Sequence, residues 1–578
     1  MRFFLAKSQN GQSGSFAQKT EKIFVWFFSK LIYSNDFVYG IISAEQNLIT
    51  APILCIVFCF IFFGRNCFDK RIAALEKIAV IDLGSNTVRM VLANILDGGH
   101  FVVFDELKET VRLGQDMDKD GILKAARIDQ AIKTLRMFRK LCDAYKVDKI
   151  IAVGTNAVRR AKNQKSFLDE IYSVCGFKLN VLTQEEEAFR IYQGVINSLD
   201  IPKGLIIDIS GTSTQLIHYN RRTILNFINL PFGSMTLTDL FADSASTPEA
   251  QSDQIEQFIT RQYANIEWLK NVDPDIQLIG VGGAFRNLGR ISRMLRRYSL
   301  DMAHNYVIPR EEFVNIFDMI KVLDTDKRKK IKGMSSGRAD ILPSALCCIK
   351  GIFNTIPFAQ LVISGSGLRE GLMFNYAVPS TAEKPITDIL GHSVATLMKY
   401  FDENQAHADH VYNLALQLFK QLRVLHKLPR QYVKILRIAS MLHDTGVRVK
   451  FYDHHKHSFY VILNSNLYGA THRDLVLSAF VAGAHRSDGF MTAEWQKYKD
   501  LVFEEDLGAV RKLGVLLRIA ESLDRSMSGG VKILTCDVLG DAVIMKAEVE
   551  GDCSLEVKDA LSATAEFYRA FHKNLEIL

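Results

Sequence analysis

A chain of 578 residues exceeds what one hydrophobic core supports, so two or three domains are expected. Its 48% hydrophobic and 23% charged residues are an ordinary globular balance, and the net charge of +7 favours an anionic ligand. No zinc-finger or RNA-binding signature points to nucleic acid, and nine scattered cysteines without a CxxC pair exclude a disulfide framework in favour of reduced, cytoplasmic thiols.

Residues 1–75 differ from the rest. They hold two apolar stretches, "IFVWFFSKLIYS" (23–34) and "LITAPILCIVFCFIFFG" (48–64), the second free of charge. A spanning helix wants roughly 20 such residues, so membrane contact is one reading, with Arg65, Lys70 and Arg71 on the cytoplasmic side. The other is a mis-assigned start with the true one near Leu75; no methionine lies between Met1 and Met90, so that start would need another codon. No small-residue cleavage site follows, which argues against a secretory signal.

The first lobe, expected over 76–200, opens with "KIAVIDLGSNTVRMVLANI" (77–95): an apolar strand, Asp82, then Gly84, Ser85, Asn86 and Thr87 before a second apolar run. Residues 100–114 read as a strand, and 127–145 carry apolar residues at helical spacing. "DKIIAVGTNAVRRAKN" (148–163) is a strand feeding a basic turn, and "FKLNVLTQEEEAFRIYQGV" (177–195) a strand feeding an acidic helix start. In the second lobe, expected over 201–378, "GLIIDISGTSTQLIHYN" (204–220) repeats the opening grammar, with Asp208 followed by Ser210, Gly211, Thr212, Ser213 and Thr214. A tight capped turn would explain one such stretch; two copies suggest a duplicated phosphate-binding half. Small residues let backbone N–H groups converge on an anion while the aspartate holds a hydrated cation. A third glycine turn, "LIGVGGAFRNLGRI" (278–291), supplies Gly282 and Gly283.

Alternating strands and helices imply an α/β architecture up to the linker "YAVPSTAEKP" (376–385). Beyond it, over 385–578, segments 405–426, 430–444, 472–486 and 507–524 read as helices, with a late hairpin over 531–550.

Residues 77–560 resemble the exopolyphosphatase/guanosine pentaphosphate phosphohydrolase (Ppx/GppA) family, through "VIDLGSNTVRM", "GTNAVRRAKN", "TQEEEAFRIYQGV", "IDISGTSTQL", "LPFGSMTLT", "GVGGAF", "GMSSGRADIL" and "SGSGLREG" in the family's order. The resemblance implies two duplicated actin-like lobes of the sugar kinase/actin superfamily, with an active site between them that hydrolyses a terminal phosphate with Mg²⁺. Asp82 and Asp208 are candidate metal groups, and Arg89 and Arg159 candidate phosphate clamps by virtue of their planar forks. "QEEEA" offers three carboxylates that would also suit a helix start; the resemblance assigns the catalytic base to Glu187, with Glu186 second. The family usually has glycines where this chain has Ser210 and Thr212, and a glutamate where it has Gln215, a candidate metal group. Side chains in left-handed backbone would cost about 1–2 kcal/mol and crowd a phosphate, so weakened activity is an expectation. The helical region resembles an HD domain, with His407, His443, Asp444 and Glu521 in the ligand positions, Glu521 replacing an aspartate; His454, His457 and His485 could serve a second ion or phosphate.

Basic clusters at 286–298 and 327–332 suggest a positive lane for a polyanion, whose binding would weaken steeply with salt. The leading expectation is an exopolyphosphatase. Alternatives are a guanosine pentaphosphate phosphatase, a polyphosphate- or alarmone-binding regulator with weak catalysis, and a kinase of the same superfamily. A homodimer is expected by resemblance.

Overall fold

The central strand of each lobe is apolar on both faces because it is covered on both. In β1 (Lys77–Leu83), Ile78, Ala79, Val80, Ile81 and Leu83 are fully buried, the pattern of a strand flanked by partners and roofed by helices. The computed structural model describes residues 75–117, 120–242, 247–378, 385–486 and 491–578. The apolar stretches at 23–34 and 48–64, and with them the membrane and start-site expectations, lie outside the described residues. Among the described residues no helix is long and apolar enough to cross a membrane.

β1 pairs antiparallel with β2 (Thr87–Leu96), which pairs with β3 (His100–Thr110); α1 (Ala125–Tyr145) leads to β4 (Lys149–Gly154), parallel to β1. α2 (Asn156–Arg160) and β5 (Leu179–Val181) follow, giving the order β3-β2-β1-β4-β5. After α3 (Gln184–Ile196) the plan repeats with β6 (Gly204–Ile209), β7 (Thr214–Asn220), β8 (Thr223–Leu230) and β9 (Gln277–Val281). α4 (Gly283–Arg296), β10 (Tyr306–Pro309), β11 (Gln360–Ile363) and α5 (Leu368–Ala377) complete it, in the order β10-β11-β9-β6-β7-β8. Apart from the added edge strand β10, the second sheet matches the first strand for strand, with the same parallel and antiparallel pairings. These are two lobes of one duplicated plan. Asp82 faces Arg89 across the β1–β2 hairpin, and Asp208 faces Gln215 at the corresponding place in β6–β7.

Two helices cross over between the lobes. α3 comes from the first half of the chain but packs Ala188, Ile191, Tyr192 and Val195 among Ile206, Ile217, Tyr219 and Ile279 of the second sheet. α5 does the reverse, setting Leu372, Met373 and Phe374 among Ile78, Val80 and Val91 of the first. They meet backbone to backbone: a Cβ on Gly371 would stand 1.8 Å from the Arg190 carbonyl oxygen, and one on Gly194 would stand 2.1 Å from that of Gly367. Only glycine permits this crossing, which ties both lobes to one seam.

The C-terminal region is helical as expected, with α6 (Gln405–Gln421), α7 (Tyr432–Leu442), α8 (His454–Leu463), α9 (His472–Ala484) and α10 (Glu504–Ser522) sharing one apolar core. The hairpin is β12 (Val531–Leu539) and β13 (Ala542–Val549), joined by an unanticipated parallel strand, β14 (Asn574–Ile577). This region packs on the second lobe through polar contacts, among them His472 Nε2 to the His304 carbonyl (2.8 Å) and Asn305 Nδ2 to that of Ala470 (2.9 Å).

Candidate active site

The turns after β1 and β6 point at each other. Gly84 N–H closes the first turn on the Thr87 carbonyl (3.1 Å), and the Asn86 carbonyl accepts from Val111 and Arg112 N–H (3.1 and 2.8 Å). In the second, Ser210 Oγ accepts from Ser213 N–H (3.0 Å), and the Ser210 carbonyl accepts from Ser234 N–H (3.0 Å). Ser85 Oγ and Thr212 Oγ1 meet at 2.7 Å across the lobes, and Asn156 Nδ2 donates to Thr212 Oγ1 (2.7 Å) and to its carbonyl (3.1 Å). Beside this bridge lies a cleft of about 120 Å³.

Of the residues singled out from sequence, Asp82, Gly84, Ser85, Asn86, Arg89, Glu187, Asp208, Ser210, Gly211, Gly282 and Gly283 line that cleft. Thr212, Ser213 and Thr214 do not: they are buried, with Thr212 in the interlobe bridge and Thr214 Oγ1 donating to the Phe232 carbonyl (2.8 Å). None of residues 210–214 has a positive φ. The expected strain at Ser210 and Thr212 is therefore absent, because the turn runs in conformations open to any residue. Thr212 turns away from the cleft and cannot crowd a phosphate there. A left-handed demand falls instead on Gly282 (φ +100°), where a Cβ would also stand 2.7 Å from Asp208 Oδ1.

Glu186 does not reach the cleft. Its carboxylate accepts from Thr183 N–H (2.9 Å) while Thr183 Oγ1 accepts from Glu186 N–H (3.1 Å), the reciprocal cap that starts α3. One residue on, Glu187 is buried and faces inward. Arg159 is a correction as well: its Nη1 donates to Glu187 Oε2 (2.9 Å) and to the Leu182 carbonyl (2.7 Å), outside the cleft lining. Gln215 is buried with its side-chain amide beside the Glu187 carboxyl, which it helps hold down.

The cleft brings buried carboxylates and guanidinium groups together. Burial raises Asp82, against the pull of Arg369 and Arg89. Burial and then Glu187 push Asp208 up to about 7. Burial likewise raises Glu187, with Arg159 opposing. Three crowded carboxylates favour a cation among them. Arg89, Arg286, Arg338 and Arg369 line the same cleft. Burial, then Arg286 and Arg369, bring Arg89 down to about 9, and burial followed by Arg286 brings Arg338 to about 10. Such a cluster is relieved by an anion with several oxygens.

Arg338, Arg369, Glu370 and Thr155 were not singled out from sequence, although each sits in or beside a recognised motif. Arg286 was noted only as the start of a basic cluster. The rest of that cluster is mostly spent internally: Arg290 donates to the Gly333 carbonyl (2.8 Å), Arg293 pairs with Asp301 (3.2 Å) and Arg296 with Glu312 (3.4 Å). In the second cluster Lys327 and Lys329 pair with Asp324 and Asp326, and Arg328 is buried.

A model of the Ppx/GppA phosphatase family matches residues 91–378, and one of the same family's domain III matches 389–559. The chain belongs to the Ppx/GppA phosphatase family. Among its relatives, the guanosine-5'-triphosphate,3'-diphosphate pyrophosphatase of Aeromonas salmonicida is 27% identical over 407 residues, covering 68% of this chain and 77% of that protein. The protein of that name from Vibrio vulnificus is 27% identical over 417 residues, covering 71% and 80%. The crystal structure of an exopolyphosphatase from Cytophaga hutchinsonii shares 25% identity and a TM-score of 0.50, covering 53% of this chain and 99% of that one. The matched names establish a phosphatase-type hydrolase without separating the two substrates.

Proposed function

We propose that this Ppx/GppA phosphatase hydrolyses the terminal phosphoanhydride of inorganic polyphosphate, with Glu187 as the base that aligns the attacking water. The observation that carries the reading is that Glu187 and four arginines line one small cleft. Terminal phosphoryl transfer needs an oriented nucleophile and dispersed positive charge on the equatorial oxygens, and little else. Glu187, raised by burial, is a stronger base than an exposed carboxylate, and Arg159 fixes its direction. Arg89, Arg286, Arg338 and Arg369 would hold the phosphoryl oxygens, with N–H groups of the three turns beside them. Asp82, Asp208 and Glu187 suit a divalent cation by their crowding; Mg²⁺ at Asp82 and Asp208 would add charge neutralisation for the phosphates.

Guanosine pentaphosphate is the second reading, favoured by the names of the curated relatives. Polyphosphate is preferred because no aromatic side chain lines the cleft among the described residues, so nothing there would stack a guanine. The test is phosphate release with Mg²⁺ from long-chain polyphosphate and from guanosine pentaphosphate, with Glu187→Gln alongside. Polyphosphate turnover that falls about 10²–10⁴-fold in the variant supports the proposal. Turnover of the nucleotide alone reverses the substrate order, and full activity in Glu187→Gln removes the base.

A further inference from the structure

We propose that His304 is a positioning residue for the hydrolysis: acting through the main chain of Gly365 it holds Arg286 in the cleft, and the helical region holds His304 in its turn. The inference rests on the reading of Arg286 as a group that binds phosphoryl oxygens.

The contacts form an unbroken line. Arg286 Nη1, on α4, donates to the Gly365 carbonyl (3.1 Å), and Gly365 N–H donates to His304 Nδ1 (3.1 Å). Both main-chain groups of Gly365 are thereby committed, one to the cleft arginine and one to the histidine ring. A Cβ on Gly365 would stand 2.9 Å from a side-chain carbon of His304, so the segment lies directly on that residue. The same segment joins β11 to α5 and brings Arg369 and Glu370 to the cleft. A guanidinium carries five donors, so Arg286 tied to one carbonyl still has others for a phosphoryl oxygen.

The ring's two nitrogens have opposite duties. An amide N–H only donates, so Nδ1 is bare and Nε2 carries the hydrogen, which goes to the Ser198 carbonyl (3.1 Å). Burial keeps the ring neutral, bringing its pKa down to about 4. Ser198 lies just past α3, the helix that carries Glu187. One ring thus ties the end of the base's helix to the main chain that anchors Arg286. A side chain placed only for packing would need neither the acceptor nor the donor.

The helical region closes around this ring. His472 Nε2 donates to the His304 carbonyl (2.8 Å), Gly469 N–H donates to the Ser198 carbonyl (3.0 Å), and the Tyr468 ring stands edge-on to His304 at 5.2 Å. These residues are distinct from His407, His443 and Asp444, which gather elsewhere in the region; Glu521, expected with them, pairs with Arg486.

Asparagine and glutamine separate the two nitrogens. His304→Asn presents an amide oxygen where Nδ1 accepts, whereas His304→Gln reaches the place of Nε2 and leaves Gly365 N–H unmet. Phosphate release by the full chain would be measured for both, alone and combined with Arg286→Ala, on polyphosphate and on guanosine pentaphosphate. In His304→Gln kcat/KM should fall by up to about 100-fold, the cost of a misplaced binding group, and in His304→Asn much less. The His304→Gln loss should vanish in the Arg286→Ala background, as it does for residues that act through one another. His472→Phe, which leaves the His304 ring in place, should show a smaller loss that the same background absorbs. Thermal melts would confirm folding, and if the His304 variants unfold the His472→Phe cycle decides alone. Additive losses, or His304→Gln as active as His304→Asn, overturn the proposal. Arg286→Ala with wild-type release removes Arg286 from the phosphate site and the inference with it, an outcome distinct from additivity between two impaired variants.

Discussion

Arg159 Nη1 lies 2.9 Å from Glu187 Oε2, and the same nitrogen donates to the Leu182 carbonyl 2.7 Å away, so the guanidinium holds Glu187, the proposed base. Burial raises the Glu187 pKa and Arg159 is the largest influence lowering it. In Arg159→Met that influence is lost and the Glu187 pKa rises further. Since the base works deprotonated, the acid limb of the kcat profile should move to higher pH, with kcat falling more than KM changes. An unmoved acid limb would return Arg159 to the role of phosphate clamp.

Gln215 supplies the second prediction. It occupies in β7 the place that Arg89 has in β2, cross-strand from an aspartate, and its buried amide lies beside the Glu187 carboxyl. Gln215→Glu would add a fourth carboxylate beside Asp208 and Glu187, strengthening the pull on a cation. The Mg²⁺ concentration for half-maximal phosphate release should fall, and release at limiting Mg²⁺ should rise. A large gain at saturating Mg²⁺ would mark the wild-type chain as a binder with impaired chemistry, whereas high wild-type turnover rules out the regulator reading.

Thr212 is a strut between the lobes, so its loss should be felt as stability. Thr212→Val keeps the shape but removes the buried hydroxyl that Ser85 Oγ and Asn156 Nδ2 share, leaving Asn156 Nδ2 only the main-chain carbonyl. An unsatisfied buried group costs about 1–3 kcal/mol, and Tm should fall accordingly in a thermal melt. Thr212→Gly should not raise activity, because the side chain it removes does not line the cleft. A more active glycine variant would revive the idea of a crowded phosphate.

The repeated strand–aspartate–turn was legible in the sequence because its geometry restricts composition: a buried strand must be apolar, and a turn approaching an anion must be small. The twofold plan and both aspartates follow from that. The arginines were harder. Arg338 and Arg369 reach the cleft from segments remote in sequence from either aspartate, and nothing local separates them from Arg290 or Arg296, which serve carbonyls and acid partners. The three adjacent glutamates show the same limit. All three suit a helix start, and the turn of α3 alone makes Glu186 a cap while Glu187 points inward. The crossing of α3 and α5 was equally hidden, since an amphipathic helix does not say which sheet it covers.

That crossing gives the last prediction. A Cβ on Gly371 would stand 1.8 Å from the Arg190 carbonyl oxygen, which belongs to a helix backbone and has no side chain to swing aside. Gly371→Ala must therefore push α5 from α3, and overpacking of this kind costs about 1–3 kcal/mol. The displacement should also reach the cleft, because Arg369 sits two residues earlier on α5, where its Nη1 meets Glu106 Oε1 at 2.7 Å, and Glu187 lies on α3. Tm and kcat/KM for polyphosphate should fall together in Gly371→Ala, whereas Glu187→Gln should lower kcat/KM at nearly unchanged Tm. A Gly371→Ala protein with wild-type Tm and activity would mean that the seam is loose, and that Glu187 and Arg369 hold their places without it.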